Sequence, residues 1–219
     1  MSVRRFLISL ALFAVACSDR VGPPPAQTPH FVRWAGSLAP QFTAIGTLPG
    51  PAGDGAFVPS LSGGLSLDRY TAAFWAVRGE QRSLQINYLS STGDTSFAFL
   101  QLTIADPVYV PGRGDLAPGD SVLITVTIDP ENIKVSLEPT GLLFGDPAEL
   151  RISYGGADGD LNADGVVDAA DADIEIQLLG LWYREGAESA WTRISASQSL
   201  ADKSFISALL HFSEYAVSW

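Results

Sequence analysis

Apolar and polar residues alternate with a period of two along much of the chain after residue 30. The segment SVLITVTI at 121–128 shows this most clearly, because hydroxyl side chains at 121, 125 and 127 alternate with four apolar ones: Val122, Ile124, Val126 and Ile128. Successive side chains of a strand point to opposite faces of a sheet. The pattern therefore predicts a strand with one buried face and one exposed face.

Short runs of β-branched and aromatic residues, bounded by Gly, Pro or Asp, predict further strands. These runs span 70–77, 83–89, 97–104, 133–138, 149–154, 178–184, 191–194, 204–210 and 215–218. Gly and Pro between them disfavour long helices. We therefore expect an all-β fold, an antiparallel β-sandwich over 31–219. Whether 31–107 and 108–219 are two separate parts stays open, and the Gly- and Pro-rich segment 50–64 is expected to be a surface loop.

Composition narrows the chemistry of the protein. The 219 residues are 47% apolar and carry 13 basic against 24 acidic side chains, a formal charge of −11. This is enough apolar material for a packed core, and the negative charge disfavours nucleic acid as a partner. A single cysteine excludes an internal disulfide, and two histidines leave little room for zinc or haem chemistry.

The N-terminus has the pattern of an export signal. Arg4 and Arg5 precede the apolar run 6–16, which is shorter than the ~20 residues of a membrane-spanning helix. The sole cysteine, Cys17, follows Ala-Val-Ala and resembles the lipobox of bacterial lipoproteins, although Ala14 stands where Leu is usual. The resemblance implies a signal peptide at 1–16, cleavage before Cys17 and lipidation of its thiol, which would anchor the protein to a membrane. The alternative is an ordinary signal peptide with a chance cysteine.

The segment after Cys17 predicts how the folded part is held. Residues 17–30 include three consecutive prolines at 23–25, which is typical of an extended tether. By analogy with Gram-negative lipoproteins, Ser18 after the cysteine favours the outer membrane. We therefore expect an exported protein that is lipid-anchored to the bacterial envelope.

The most specific motif is an acidic loop at 160–171. Acidic residues recur between 158 and 175, and no base occurs between Arg151 and Arg184. The spacing D-x-N-x-D-G-x-x-D-x-x-D matches an EF-hand loop, with Gly165 at the sharp turn. The predicted ligands are five side chains and one backbone carbonyl: Asp160, Asn162, Asp164, Asp168, Asp171 and the carbonyl of Val166. Ligands that are all oxygen suit Ca²⁺ better than the smaller Mg²⁺.

The same loop resembles a dockerin repeat. Residues 159–171 of this chain, GDLNADGVVDAAD, closely follow the pattern of such a repeat. Dockerins carry two such repeats separated by helices, whereas this chain has one, and its position 12 is Asp171 where EF-hands usually have Glu. Strand-forming residues downstream limit the expected helix to one turn over 169–173. The alternative to a calcium site is a solvated acidic turn.

The C-terminal half shows a second resemblance. The run PTGLLF at 139–144 and the ending HFSEYAV at 211–217 are the most specific parts of a series that covers about 121–219. It resembles the β-sandwich domain shared by zonula occludens proteins, netrin receptors and ankyrins. The resemblance implies a binding or structural module in which the acidic loop is inserted between two strands.

That resemblance also raises a self-cleavage hypothesis. Some eukaryotic relatives of this sandwich cut themselves within a His-Phe-Ser sequence, which here would be the Phe212–Ser213 bond. Ser213 Oγ would attack the preceding carbonyl, and His211 is the base nearest in sequence. The alternative places Phe212 in the core and Ser213 in a turn at a strand edge.

Other catalytic motifs do not occur in the sequence: there is no Gly-x-Ser-x-Gly elbow, His-Glu-x-x-His helix or phosphate-binding glycine loop. Its Trp and Tyr residues could build a sugar-stacking platform, although most are expected in the core. We therefore predict an envelope-anchored calcium-binding module that is not an enzyme and leave a protein or polysaccharide partner open. The alternatives are a dockerin-like module that docks onto a cohesin-type partner in polysaccharide degradation, and an enzyme acting on polysaccharide.

Overall fold

The computed structural model describes residues 28–36, 40–47, 65–66, 70–89 and 96–219. The predicted signal peptide, Cys17, most of the tether and the predicted loop 50–64 lie outside the described residues.

The described residues are mostly β-structure. In chain order the strands are β1 (Gln41–Thr47), β2 (Leu65–Ser66), β3 (Thr71–Val77), β4 (Arg82–Leu89), β5 (Ser96–Ile104), β6 (Pro107–Val110), β7 (Gly114–Asp115), β8 (Ser121–Ile128), β9 (Lys134–Glu138), β10 (Leu143–Ser153), β11 (Gly180–Arg184), β12 (Thr192–Arg193), β13 (Ser197–Ser199), β14 (Ser204–His211) and β15 (Glu214–Ser218). Within this described part the helical elements are a 3₁₀ turn at Gly155–Ala157, one short helix α1 (Ala169–Asp173) and a π-helical turn at Ile174–Leu178.

These strands form two antiparallel sheets, which gives a sandwich-like all-β fold. The larger sheet has the order β13-β14-β10-β5-β4-β1-β2, with β6 and β7 at the end of β10, and the smaller one has the order β12-β11-β15-β9-β8-β3. Strands from 31–107 and from 108–219 are neighbours in both sheets, since β5 pairs with β10 and β3 pairs with β8.

The alternation predicted for 121–128 is confirmed in β8, where Val122, Ile124, Val126 and Ile128 are buried. The larger sheet contributes buried side chains from the same kind of alternation in β4, β5 and β10, among them Leu84, Ile86, Leu100, Leu102 and Leu150. Both sets belong to one hydrophobic cluster. Apolar burial between the sheets is therefore the main contribution to the stability of the fold.

One end of this core is aromatic. Trp34 packs against Phe42, Tyr88 and Phe99 with ring centroids 4.9 to 5.4 Å apart. Its indole N–H donates to the carbonyl of Asp129 at 2.9 Å, so the buried ring has its polar atom satisfied. The expectation that most tryptophans lie in the core is met by Trp34 and Trp182, which are buried, whereas Trp75, Trp191 and Trp219 are partly exposed.

Most predicted strand boundaries lie within two residues of the observed ones, and β10 is the main exception. The pattern predicts a strand from residue 149, after Pro147, yet β10 begins at Leu143 and includes this proline, which cannot donate to a ladder. A register shift between Leu143 and Ala148 accommodates the proline. Among the described residues, none of the helices is long and apolar enough to span a bilayer.

Candidate metal site

The acidic loop lies in the connection between the two sheets, after β10 in one and before β11 in the other. The base of the connection is fixed to the core by the buried side chains of Ala157, Leu161 and Ile174. The indole N–H of Trp219 donates to the Leu161 carbonyl at 3.2 Å. The loop is therefore held at its base, while most of its acidic side chains face solvent.

The first half of the loop curls around the side chains of Asp160, Asn162 and Asp164. The N–H of Asp164 donates to Asp160 Oδ1 at 3.2 Å and to Asn162 Oδ1 at 2.9 Å, so both oxygens lie at one backbone nitrogen. Asp160 Oδ2 accepts from the N–H of Gly165 at 3.0 Å. Three of the predicted ligands are thus brought together on the inside of one turn.

This turn needs left-handed backbone at two positions. Gly165 has φ +88° and Ala163 has φ +59°. Glycine adopts such values without steric cost, whereas an L-residue is strained there. Gly165, predicted for the sharp turn, therefore has the left-handed backbone conformation that favours glycine at this position.

The second half of the loop ends in a capped helix. Asp168 is the N-cap of α1, because its Oδ1 accepts from the N–H of Ala170 at 2.7 Å. Asp171 completes a capping box, since its Oδ2 accepts from the N–H of Asp168 at 2.9 Å. The expected helical turn over 169–173 is confirmed, and its cap explains where it begins.

Asp171 also links the two ends of the loop. Its carboxylate is buried, and Oδ1 accepts from the N–H of Leu161 at 2.7 Å and from that of Asn162 at 3.2 Å. The hydrogen bond from Asp168 lowers the pKa of Asp171; the bonds from Leu161 and Asn162 add to this and burial opposes it. The carboxylate is therefore held in its charged form, which is the form that binds cations.

Helical structure after Asp171 extends further than the sequence predicted. The N–H of Leu179 donates to the Ile174 carbonyl at 2.8 Å, which closes a π-helical turn. The strand predicted from residue 178 begins at Gly180. Ile174 is buried beneath the loop, so tertiary packing outweighs the strand propensity of this apolar segment.

The charges of this segment lack close counter-ions. In the part of the chain that the structure describes, no Lys, Arg or His forms an ion pair with an acid between 158 and 175. Lys203 lies beside this segment, since its Nζ is 4.0 Å from the position that a Cβ on Gly159 would occupy. Repulsion among these carboxylates is therefore compensated mainly by backbone N–H groups.

The predicted ligand set is only partly gathered. Over 28–36, 40–47, 65–66, 70–89 and 96–219, no group of three or more His, Cys, Asp or Glu side chains is placed to hold a metal. The predicted ligand set also contains two neutral oxygens, the Asn162 side-chain amide oxygen and the Val166 backbone carbonyl. The Val166 side chain itself is 58% exposed. Within the described loop, the carboxylates of Asp160, Asp164, Asp168 and Asp171 accept from backbone N–H groups.

A buried polar cluster beneath the π-helical turn was not predicted. Gln198 Nε2 donates to Tyr154 Oη at 3.1 Å and to the Glu175 carbonyl at 2.9 Å. Burial raises the pKa of Tyr154 to about 12, with the Glu175 carboxylate adding to the shift. Glu175 Oε1 is buried without a hydrogen-bond partner among the described residues. Only the strand pairing that brings Gln198 close could have revealed this cluster.

The ending His211-Phe212-Ser213 lies against the core. Phe212 and Ser213 are buried, and the Phe212 carbonyl accepts from the N–H of Gly141 at 2.8 Å. Ser213 Oγ donates to the carbonyl of Arg184. His211 Nδ1 lies 3.4 Å from the Phe212 oxygen, and its Nε2 lies 3.4 Å from Glu185. The hydroxyl proton of Ser213 is therefore directed to a backbone carbonyl and not to the imidazole.

No family model, curated protein or solved structure matches this chain.

Proposed function

We propose that this protein is an envelope-anchored, calcium-binding β-sandwich that acts as a binding or structural module without conventional enzymatic activity. The carrying observation is that the side chains of Asp160 and Asn162 accept from one backbone N–H, that of Asp164, while Asp171 accepts from Leu161 and completes the capping box at the start of α1. The anchor rests on the sequence around Cys17.

The residues present fit a calcium ion by the chemistry of their donors. Carboxylate, amide and backbone carbonyl oxygens are the ligands that Ca²⁺ takes in flexible, high-coordination geometry. Asp160, Asn162, Asp164, Asp168, Asp171 and the Val166 carbonyl would hold it. A bound Ca²⁺ would supply positive charge to a segment rich in acids, and so stiffen the connection between the sheets.

The test is thermal unfolding of the chelator-stripped protein with added Ca²⁺ or Mg²⁺. At ~100 times its Kd a ligand stabilises the native state by about 2.7 kcal/mol, which is a rise in Tm of roughly 5–10 °C for a chain of this size. We expect this rise for Ca²⁺ and a much smaller one for Mg²⁺. An equal response to both ions, or no response at millimolar Ca²⁺, would contradict the proposal.

Matched variants locate the effect. Asp160→Asn and Asp164→Asn each remove one ligand charge. Each should raise the Kd for Ca²⁺ about ten-fold or more, since affinity depends on ligand charge. Asp173→Asn removes a charge from α1, where the carboxylate contacts only Gln177 at 3.4 Å. This control should keep the response. A response unchanged by all three variants would place calcium elsewhere.

The second candidate function is a dockerin-like assembly module that docks onto a cohesin-type partner in polysaccharide degradation. It is favoured by four apolar side chains that are exposed on the loop and the following turn: Val166, Val167, Ile176 and Leu178. Where exposed apolar side chains form a contiguous patch, they mark interaction surfaces. Calcium-dependent binding to a panel of cohesin-type domains, lost in Ile176→Asp, would establish this function in place of the first.

A further inference from the structure

An open cleft of about 480 Å³ lies beside the loop connection and shares none of the predicted calcium ligands. It is formed where β5 begins, where β10 ends and at the turn between β13 and β14. Its lining consists of small, polar and charged residues around one aromatic ring: Phe97, Ala98, Gln101, Arg151, Ser153, Gly155, Ala201, Asp202, Lys203 and Ser204. The volume is in the range of small-molecule sites, about 300–1,000 Å³.

The floor of the cleft belongs to a polar row on the outer face of the larger sheet. Gln101 and Arg151 are direct cross-strand partners, and the side chains next to them in sequence, such as Leu100 and Ile152, are buried on the other face. Gln101 Nε2 donates to Gln85 Oε1 at 2.7 Å. This bond fixes the plane of the Gln101 amide and leaves its carbonyl oxygen to accept from a ligand.

The charged groups of the cleft are positioned by the surrounding chain. Arg151 Nη2 donates to Asp202 Oδ2 at 2.9 Å, which orients the guanidinium and leaves further N–H groups on it. Lys203 has φ +46°, and its carbonyl accepts from the N–H of Tyr154 and from Ser153 Oγ. Lys203 therefore projects from a fixed backbone, and its ammonium forms no ion pair among the described residues.

The balance of charge in the cleft is opposite to that of the protein. Its lining holds two bases and one acid, whereas the chain holds 13 bases and 24 acids. At the wall, Ser204 is 1% exposed, and its Oγ has no hydrogen-bond partner among the described residues. A buried hydroxyl without a partner is unusual in a folded protein.

We propose that this cleft binds a carboxylated saccharide. Arg151 and Lys203 supply the positive charge for the carboxylate, because guanidinium donors bond carboxylates strongly and with defined geometry. The Gln101 amide matches ring hydroxyls, which both donate and accept. Phe97 offers an apolar surface for the C–H face of a sugar ring. The openness of the cleft allows one ring of a longer polymer to enter, so the proposal extends the function of the protein to recognition of acidic polysaccharide.

The test is a titration of the protein with galacturonic acid and trigalacturonate at constant ionic strength, followed by NMR. Galactose and acetate are the matched ligands that lack the carboxylate and the hydroxyl groups, respectively. We expect saturable shifts at 97–101, 151–155 and 201–204 with the two uronates. Galactose or acetate binding as tightly as galacturonic acid would overturn the proposal, and so would the absence of binding by either uronate.

Variants assign the contacts. Arg151→Gln and Lys203→Gln should each weaken uronate binding about ten-fold, the usual effect of removing a hydrogen bond to a charged group. Gln101→Ala changes only the outer face of β5 and should weaken it as well. Arg113→Gln removes an arginine that pairs with Asp120 at 3.5 Å outside the cleft, and should bind like the original protein. Unchanged affinity in the three cleft variants would refute the assignment.

The titration is run with chelator and with Ca²⁺. Uronate binding in chelator tests the cleft independently of the calcium loop, so failure of one proposal leaves the other standing. Binding confined to the calcium sample and unaffected by Arg151→Gln would show a calcium-bridged contact at the loop and would overturn the cleft.

Discussion

The carboxylate of Asp171 accepts a 2.7 Å hydrogen bond from the backbone N–H of Leu161, ten residues earlier in the chain. This contact closes the acidic loop with a side chain that a calcium ion would also use. Because Leu161 is buried and its carbonyl accepts from Trp219, the closure is tied directly to the core. The base of the loop is therefore held by contacts within the chain.

Asp171→Asn should lower the Tm of the metal-free protein and abolish its calcium response. An amide in this place carries no charge and has only one oxygen to accept three N–H groups. In the folded protein the pKa of Asp171 lies below its ordinary value. Its charged carboxylate therefore stabilises the protein fully at pH values above the ordinary pKa of an aspartate, which is about 4. This stabilisation is lost as the pH falls through the lowered pKa. In thermal unfolding, the original and variant proteins should differ at pH 7 and converge in acid. A difference that grows in acid would contradict this account.

Gly165→Ala should destabilise the metal-free protein by about 1–2 kcal/mol, because an L-residue at φ +88° is strained. Gly186→Ala is the matched control, since no atom lies within 4 Å of an added Cβ there and its φ is not left-handed. Urea unfolding measures both. Equal effects of the two substitutions would show that the turn at 165 relaxes freely.

Leu102→Ala should cost about 2–5 kcal/mol, as expected for a large-to-small change in a packed core. Leu102 is fully buried and pairs with Leu84 on β4 and Leu150 on β10. Leu210→Ala alters a residue that is 66% exposed on β14 and should change the free energy of unfolding by less than about 0.5 kcal/mol. A mild effect of Leu102→Ala would contradict the packing of the two sheets around this position.

The chain should remain uncut at Phe212–Ser213. Ser213 Oγ donates to the Arg184 carbonyl, and His211 contacts Glu185, so nucleophile and base are engaged elsewhere. Mass spectrometry under denaturing conditions should find residues 213–219 covalently joined to the rest. A mass short by that segment would establish self-cleavage and an activity that the proposed function lacks.

The local pattern of the sequence predicted much of the fold. β8 alternates as expected because it lies inside a sheet with one buried face, and α1 begins at Ala169 because Asp168 caps it. The short strands β2, β6, β7 and β13 were missed, since two to four residues carry too little periodicity, and β1 was missed although it has seven residues. The pairing of β5 with β10 joins distant segments, which local patterns cannot predict.

The candidate metal site was predictable because its ligands follow one another at fixed spacing. The cleft was not, because Gln101, Arg151 and Lys203 come from three segments that only the sheet brings together. From the sequence, Glu175 is only the last acidic residue of the segment that begins at 158. Its position beside Tyr154 depends on the π-helical turn, which the sequence did not predict. Sites within one loop can be inferred from sequence, and sites between strands need the fold.

The most direct test of the account is an NMR titration of the chelator-stripped protein with Ca²⁺, followed at the backbone amides. The account predicts saturable shifts concentrated at residues 160–171, with a large change at Gly165, whose N–H bonds to Asp160. Extracellular calcium modules bind with Kd of about 10⁻⁴–10⁻³ M, so saturation should be reached at about 10 mM Ca²⁺. Spectra in which these amides do not move, or move equally with Mg²⁺, would contradict the central claim.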